Sequence, residues 1–280
     1  MNYKIEKKNE ALLVSSKYSK DKKLKLLLMS DLHFDSKKCN RILLKRHLDE
    51  AKENGALIFM FGDIFDCMGG KYDKRTTKAD IRPEYQTSTY FQDIVKDAAK
   101  FFEPYKDNIV LFADGNHETS VRLRHEIDLL DDLRLRLDYT EEQIFRGKYC
   151  GFIRFQFAHV SGGQNLSKNL YYTHGGGGSA PVTKNVIKSN RRQDAIEADL
   201  YVGGHTHTEF EVIRTQANID SRCNLVVRDK YHWNLGCYKD EFGKGGWSDH
   251  KEFAPASIGS RWVEFYVQGG ELIVRSYLAK

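Results

Sequence analysis

Cysteine is scarce and unpaired in this sequence. The five cysteines, at positions 39, 67, 150, 223 and 237, are odd in number and form no C-x-x-C pair. They therefore support neither a disulfide framework nor a cysteine zinc site. Proline is scarcer still, with four in 280 residues, and no polar stretch is long enough to read as an interdomain linker. Long apolar runs are also missing. Leu24 to Met29 and Ala56 to Phe61 fall far short of the roughly 20 residues that a bilayer span needs. The N-terminus lacks the charged-then-apolar pattern of a secretory signal. The expectation is one globular domain over residues 1–280, in the cytoplasm and away from membranes. A formal charge of +5 is compatible with a polyanionic ligand but decides nothing alone.

Order is plain in the first half. Residues 24–30 read as a buried strand, brief and abruptly ended. Helical apolar spacing follows over 36–54 and stops at Gly55, and a second apolar strand ends at Gly62. Residues 90–105 read as a helix, and a third strand over 108–113 ends before Asp114. Strands alternating with helices imply parallel pairing through crossover connections. From 150 onward, segments at 150–160, 168–174, 199–203, 209–215, 224–229 and 262–278 favour β-branched and aromatic residues. The last reads as a hairpin turning at Gly269–Gly270. The first twenty or so residues read only as a polar start.

The chemistry-bearing residues fall just past the strands. Asp31-Leu32-His33 follows the first strand, Gly62-Asp63-Ile64-Phe65-Asp66 the second, and Gly115-Asn116-His117-Glu118 the third. His174-Gly175 and Gly204-His205-Thr206-His207 end two later segments. Ligands of open α/β sheets bind at the carboxyl ends of strands, so five distant segments can converge there. Aspartate and neutral imidazole are donors for zinc, manganese and iron, and asparagine adds a neutral oxygen. In D-x-H and H-x-H, alternate residues of an extended segment point to one side and can reach one ion. Five of the ten histidines lie in these motifs. Either short motif alone is more often a surface loop, but the ordered set of five is not.

These motifs resemble the calcineurin-like metallophosphoesterase superfamily: D-L-H at 31–33, G-D-I-F-D at 62–66, G-N-H-E at 115–118, His174, and G-H-T-H at 204–207. The resemblance covers residues 24 to 238, with W-N-L-G-C at 233–237 similar to the turn that follows the last motif. It implies an α/β fold of two mixed β-sheets packed as a sandwich and flanked by helices. It also implies two divalent metal ions, manganese first and iron, zinc or nickel as alternatives. Asp31, His33, Asp63 and His207 would hold one ion, and Asp63, Asn116, His174 and His205 the other. A metal-bridging hydroxide would attack a phosphate ester, with His117 as general acid. Asp66 would orient His117 or cap a helix. His159, which also ends an apolar stretch, is the rival to His174. His47 and His125 read as solvated helix positions, and His250 as a residue that could line the cleft.

For substrate, Cys67 and Asp114 stand where the serine/threonine protein phosphatases of this superfamily carry arginine. The G-D-I-F-D form is closer to the repair-exonuclease and phosphodiesterase branch. Lys71, Lys74 and Arg75, among tyrosines, and Arg122 and Arg124 after His117, are candidate contacts to DNA, RNA or a nucleotide. A phosphomonoesterase is the alternative. A non-catalytic binding scaffold would be signalled by loss of His117 or a ligand, and all are present.

Overall fold

The computed structural model describes residues 3–18, 22–67, 80–140, 142–159, 165–178, 183, 186–242 and 255–280. Lys71, Lys74, Arg75 and His250 lie outside the described residues.

The apolar run at 24–29 becomes β3 (Leu24–Met29), because both of its faces are buried. Leu27 and Met29 enter a core shared with helices, while Leu24, Leu26 and Leu28 enter a core between two sheets. The same division splits β4 (Leu57–Phe61): Ile58 and Met60 face the helices, and Leu57, Phe59 and Phe61 face the other sheet. Continuous rather than alternating hydrophobicity is what a strand covered on both faces requires. With β5 (Ile109–Ala113) and β6 (Phe145–Arg146), these strands form a parallel run. The C-terminal hairpin, β12 (Ser260–Gln268) and β13 (Glu271–Ala279), extends it antiparallel through β3. The sheet order is β13-β12-β3-β4-β5-β6.

The second sheet gathers β1 (Tyr3–Lys8), β2 (Ala11–Tyr18), β7 (Cys150–His159), β8 (Leu166–Thr173), β9 (Leu200–Gly203), β10 (Phe210–Ile219) and β11 (Leu225–Asn234). Its order is β1-β2-β7-β8-β9-β11-β10, with parallel and antiparallel pairs mixed. Strand β7 alternates: Ile153, Phe155 and Phe157 point to the inter-sheet core, while Phe152 and Arg154 face outward. Helices α1 (Arg41–Glu53), α2 (Tyr90–Phe102), α3 (Asn116–His125) and α4 (Leu129–Leu137) belong to the first sheet's half of the chain. Helix α5 (Val186–Ala195) lies against the second sheet, where Gln193 bonds His232 of β11. The result is an α/β sandwich of two mixed sheets with flanking helices. No helix among the described residues is long and apolar enough to cross a membrane.

Three expectations need correction. The polar start is a hairpin, β1–β2, whose Leu12 and Val14 join the inter-sheet core; three apolar residues among charges gave too short a signal. The first helix begins at Arg41, where the Asn40 side chain accepts from the Leu43 amide, so 36–39 is loop. His47 is buried rather than solvated, its Nδ1 2.8 Å from the Tyr238 hydroxyl.

Among the described residues, two buried histidines lie outside the motifs. Burial, with Arg46 beside it, brings His47 down to about 4, and burial, with Arg214 and Arg192 near, does the same for His232. The usual value is 6.5. An unfolded chain therefore takes up these protons first as pH falls, and their contribution to stability, complete above pH 6.5, is lost towards pH 4. Urea midpoints are expected to fall between pH 7 and 5, and His47→Gln or His232→Gln to flatten that decline. An unchanged slope in both variants would show that neither ring titrates differently on unfolding.

Candidate metal centre

Backbone pairing continues past the strands. The amides of Asp31, His33 and Phe34 donate to the carbonyls of Gly62, Asp63 and Ile64 at 2.8–3.0 Å, so the first two motif loops run side by side. Gly204 N donates to the His174 carbonyl at 3.1 Å, and Tyr238 N to the Asp31 carbonyl at 3.0 Å. The D-x-H and H-x-H segments are not extended. Asp31, His33, Asp63, His205 and His207 all have positive φ, between 47° and 73°. The extended-segment geometry expected from sequence is thus replaced by repeated left-handed residues. Such backbone is uncommon for residues other than glycine and clusters at functional sites.

Two glycines allow this crowding. A Cβ on Gly115 would stand 2.1 Å from Asp63 Oδ1, and one on Gly204 would stand 2.1 Å from Ser30 Oγ and 2.7 Å from Asp31 Oδ2.

Three groups of ligand-type atoms result: Asp31, His33 and His207; Asp63, His174 and His205; and His33, Asp66 and His117. In the first, His33 Nε2 lies 3.1 Å from His207 Nε2, and His207 Nε2 lies 3.3 Å from Asp31 Oδ1. In the second, His174 Nε2 is 3.1 Å from both Asp63 Oδ2 and Asn116 Oδ1, and His205 Nδ1 is 2.7 Å from Asn116 Oδ1. His174 Nε2 also lies 3.9 Å from Asp31 Oδ1, which joins the two groups. The seven residues expected as ligands thus meet, with Asp63 grouped on the His174 side.

The polar bookkeeping fits cations. Asp31 Oδ2 accepts from Ser30 Oγ at 2.6 Å and from the His205 amide at 2.9 Å, whereas buried Oδ1 has no hydrogen-bond partner. His33 Nδ1 lies 2.8 Å from Asp66 Oδ1, and its Nε2 faces the first group, 3.1 Å from His207 Nε2. Burial brings His33 down to about 4, so the ring is neutral at pH 7. His174 Nδ1 faces the Phe61 carbonyl at 2.9 Å, an acceptor, while Nε2 faces two further acceptor oxygens. Burial works against a charge there, but Asp63 and Asp31 lift His174 to about 10. Burial likewise opposes ionisation of Asp31, yet His174 and His207 hold it at about 2. Donor separations near 3 Å are what ligands about 2.0–2.2 Å from a shared ion span.

Supporting residues hold these loops, and among them only Glu118, the last residue of the third motif, stood in a motif. Glu118 Oε1 and Oε2 accept the amides of Phe65 (2.9 Å), Asp63 (3.2 Å) and Gly115 (3.1 Å). Asp35 accepts the amides of Asp66 and Cys67 and the Tyr90 hydroxyl. Lys239 Nζ pairs with Asp66 Oδ1 at 2.9 Å. Asp66 therefore turns its carboxylate to His33 and Lys239, and it is its main-chain carbonyl that takes His117 Nδ1. That corrects the expected role of its side chain. Asp35 and Lys239 lie outside the motifs, as an acid and a cation flanking them, a pattern that spacing alone does not reveal.

Elsewhere, His159 ends β7 at the edge opposite Cys150, which pairs with Thr173 beside His174, and its ring packs on Tyr18. His125 packs edge-on to Phe91. Arg122 binds Asp114 and Asp128, each at 3.0 Å, and Arg124 is exposed on α3.

Residues 24–209 match the calcineurin-like phosphoesterase family. The chain belongs to that family. The family binds divalent metals and includes phosphoester hydrolases as well as non-catalytic members. No curated protein matches the chain. Among solved structures, the chain is similar to YfcE, a phosphoesterase from E. coli, at 17% identity and a TM-score of 0.39, covering 92% of this chain and 100% of that one. It is similar to GAP50 of Plasmodium at 13% identity and a TM-score of 0.44, covering 92% and 85%. Vacuolar protein sorting 29 of Cryptosporidium parvum follows at 12% identity and a TM-score of 0.41, covering 92% and 98%.

Metal-free protein titrated with manganese is expected to bind it and melt higher, since ligand at about 100 times Kd adds about 2.7 kcal/mol. Gly115→Ala, which drives a methyl into the Asp63 carboxylate, should abolish that gain while keeping the far-ultraviolet circular dichroism of the native chain. Undiminished manganese binding in the variant would refute this account of the site.

Proposed function

We propose that this chain is a dinuclear-metal phosphodiesterase acting on nucleic acid or nucleotides. The observation that carries the hydrolytic reading is the meeting of two aspartate–histidine groups, holding four imidazoles, with a fifth, His117, whose Nε2 lies 3.7 Å from Asp63 Oδ2. Asp31, His33, Asp63 and His207 would hold one divalent cation, and Asp63, Asn116, His174 and His205 the other. Bound there, the cations supply Lewis acidity and a lowered pKa for water, the requirements of phosphoester hydrolysis near neutral pH.

The chain's own groups divide the remaining work. The Asp66 carbonyl can only accept, so His117 Nδ1 carries a proton against it and the ring is fixed. His117 Nε2 is then left to hold the second proton and deliver it to the leaving oxygen, general-acid catalysis worth roughly 10²–10⁴ in rate. The His117 amide donates to Asp63 Oδ1 at 3.0 Å, so one residue both steadies the central carboxylate and carries the acid.

The preference for a diester rests on the sequence. G-D-I-F-D is followed by Cys67 and G-N-H-E is preceded by Asp114, so the arginines with which related protein phosphatases grip a phosphomonoester are absent from those two positions. The basic residues Lys71, Lys74 and Arg75, with Tyr72 among them, favour a nucleic-acid strand.

With manganese, the protein is expected to cleave bis(p-nitrophenyl) phosphate and labelled DNA, and His117→Ala to lose about 10²–10⁴ in kcat while binding metal as before. Cleavage of p-nitrophenyl phosphate alone would sink the diester proposal. Metal binding without any cleavage would favour a scaffold.

A further inference from the structure

Helix α5 brings a cation to the side of the site that none of the motifs describes. Arg192 Nη1 lies 2.8 Å from where a Cβ on Gly203 would stand, and Nη2 lies 3.5 Å from the equivalent point on Gly175. That second point is also 3.7 Å from His205 Cβ. Gly175 directly follows His174, and Gly203 lies two residues before His205. The guanidinium therefore rests on the backbone of both segments that deliver ligands to the second group. Two glycines leave the room it occupies.

What surrounds Arg192 is as informative as where it sits. Among the described residues, no carboxylate, carbonyl or hydroxyl accepts a hydrogen bond from it. Its ionisable neighbours are Tyr171 and His232. Burial and Cys150 push Tyr171 up to about 12, and burial brings His232 down to about 4, so both are neutral at pH 7. Burial also draws Arg192 itself downward. A half-enclosed guanidinium with five donors and no acceptor is costly unless an anion comes to it.

One turn earlier on α5, and so on the same face, stands Lys188. Its Nζ donates to the carbonyls of Gly176 at 2.7 Å and Gly178 at 3.0 Å. No carboxylate among the described residues neutralises it. Two positive charges thus flank the loop after His174. Arg122 on α3 and Arg146 on β6, by contrast, are both committed to Asp114 and Asp128.

We propose that Arg192 binds a phosphoryl oxygen of the substrate beside His174 and His205, with Lys188 adding positive potential to the same rim. This rests on the phosphoesterase reading and names the residue that grips the substrate's phosphate. A planar, bidentate donor suits a phosphate better than an ammonium does.

The full chain, loaded with manganese and also stripped of it, would be titrated with inorganic phosphate by calorimetry. Hydrolysis would be followed with bis(p-nitrophenyl) phosphate and a single-stranded oligonucleotide. Arg192→Ala should weaken phosphate binding about tenfold or more and raise KM, with kcat and metal content little changed. Arg192→Lys should recover part of the affinity, and Lys188→Ala should make it more salt-sensitive with a smaller loss. A rise in KM for both substrates places Arg192 on the scissile phosphoryl, and a rise for the oligonucleotide alone places it on a neighbouring phosphate. Wild-type phosphate affinity and KM in Arg192→Ala would overturn the proposal. Should Arg192→Ala not fold, Arg192→Gln serves, and retained affinity there overturns it equally. A wild-type chain that hydrolyses nothing would remove the phosphoesterase reading, while the phosphate titration would still judge Arg192 by itself.

Discussion

Two buried carboxylates of like charge, Asp31 and Asp63, sit at the centre of this molecule, each at most 2% exposed. Ionised acids out of water are tolerated only when paired, and here each raises the cost of the other. Their immediate partners are imidazoles, Ser30 and main-chain amides, with Lys239 reserved for Asp66. Asp31 Oδ1 is left facing three imidazole nitrogens at 3.3–4.0 Å. Such an arrangement is unfavourable in isolation, and the surrounding sandwich holds it. Two hydrophobic layers, one on each face of the first sheet, fix β3 and β4 so firmly that the loops leaving them have little freedom to relax.

The backbone bears the consequence. Left-handed φ at non-glycine residues costs on the order of 1 kcal/mol or more each, and five candidate ligands adopt it. They keep it because the loops are held from behind. Glu118 takes amides from two different motif segments, Asp35 takes two more, and Asn234 Nδ2 reaches the Thr208 carbonyl at 2.7 Å beyond His207. Donors are thereby placed in advance rather than gathered when a ligand arrives. Preorganisation of this kind is what a site gains from rigid elements.

Much of this was legible in the sequence, and the exceptions share a cause. The strands at 24–29, 57–61 and 109–113 announce themselves because burial on both faces demands unbroken apolar residues. The motif residues announce themselves because metal chemistry restricts which side chains can serve. Hairpin β1–β2 was hidden because only Leu12, Leu13 and Val14 are needed to seat it against β7. His47 was misread because its apolar surroundings come from Tyr238, nearly two hundred residues away. The meeting of these aspartates and histidines could be expected, but not the left-handed backbone that aims them, since that depends on loops pairing with one another. Asp66 shows the limit most clearly: it does meet His117, but through its main-chain carbonyl, while its carboxylate takes His33 and Lys239.

Charge is distributed unequally around the centre, and that inequality bears on how an anion would approach. Beside His117, Asp114 and Asp128 offset Arg122 and Arg146, so two cations and two anions leave that flank with no net pull. Beneath His33, Lys239 is matched by Asp66 and Glu241 at 2.9 and 3.1 Å. Beside His174 and His205, Arg192 and Lys188 meet only neutral rings and carbonyls among the described residues. An anionic ester bound as proposed would therefore find positive charge that no described residue compensates on that last flank.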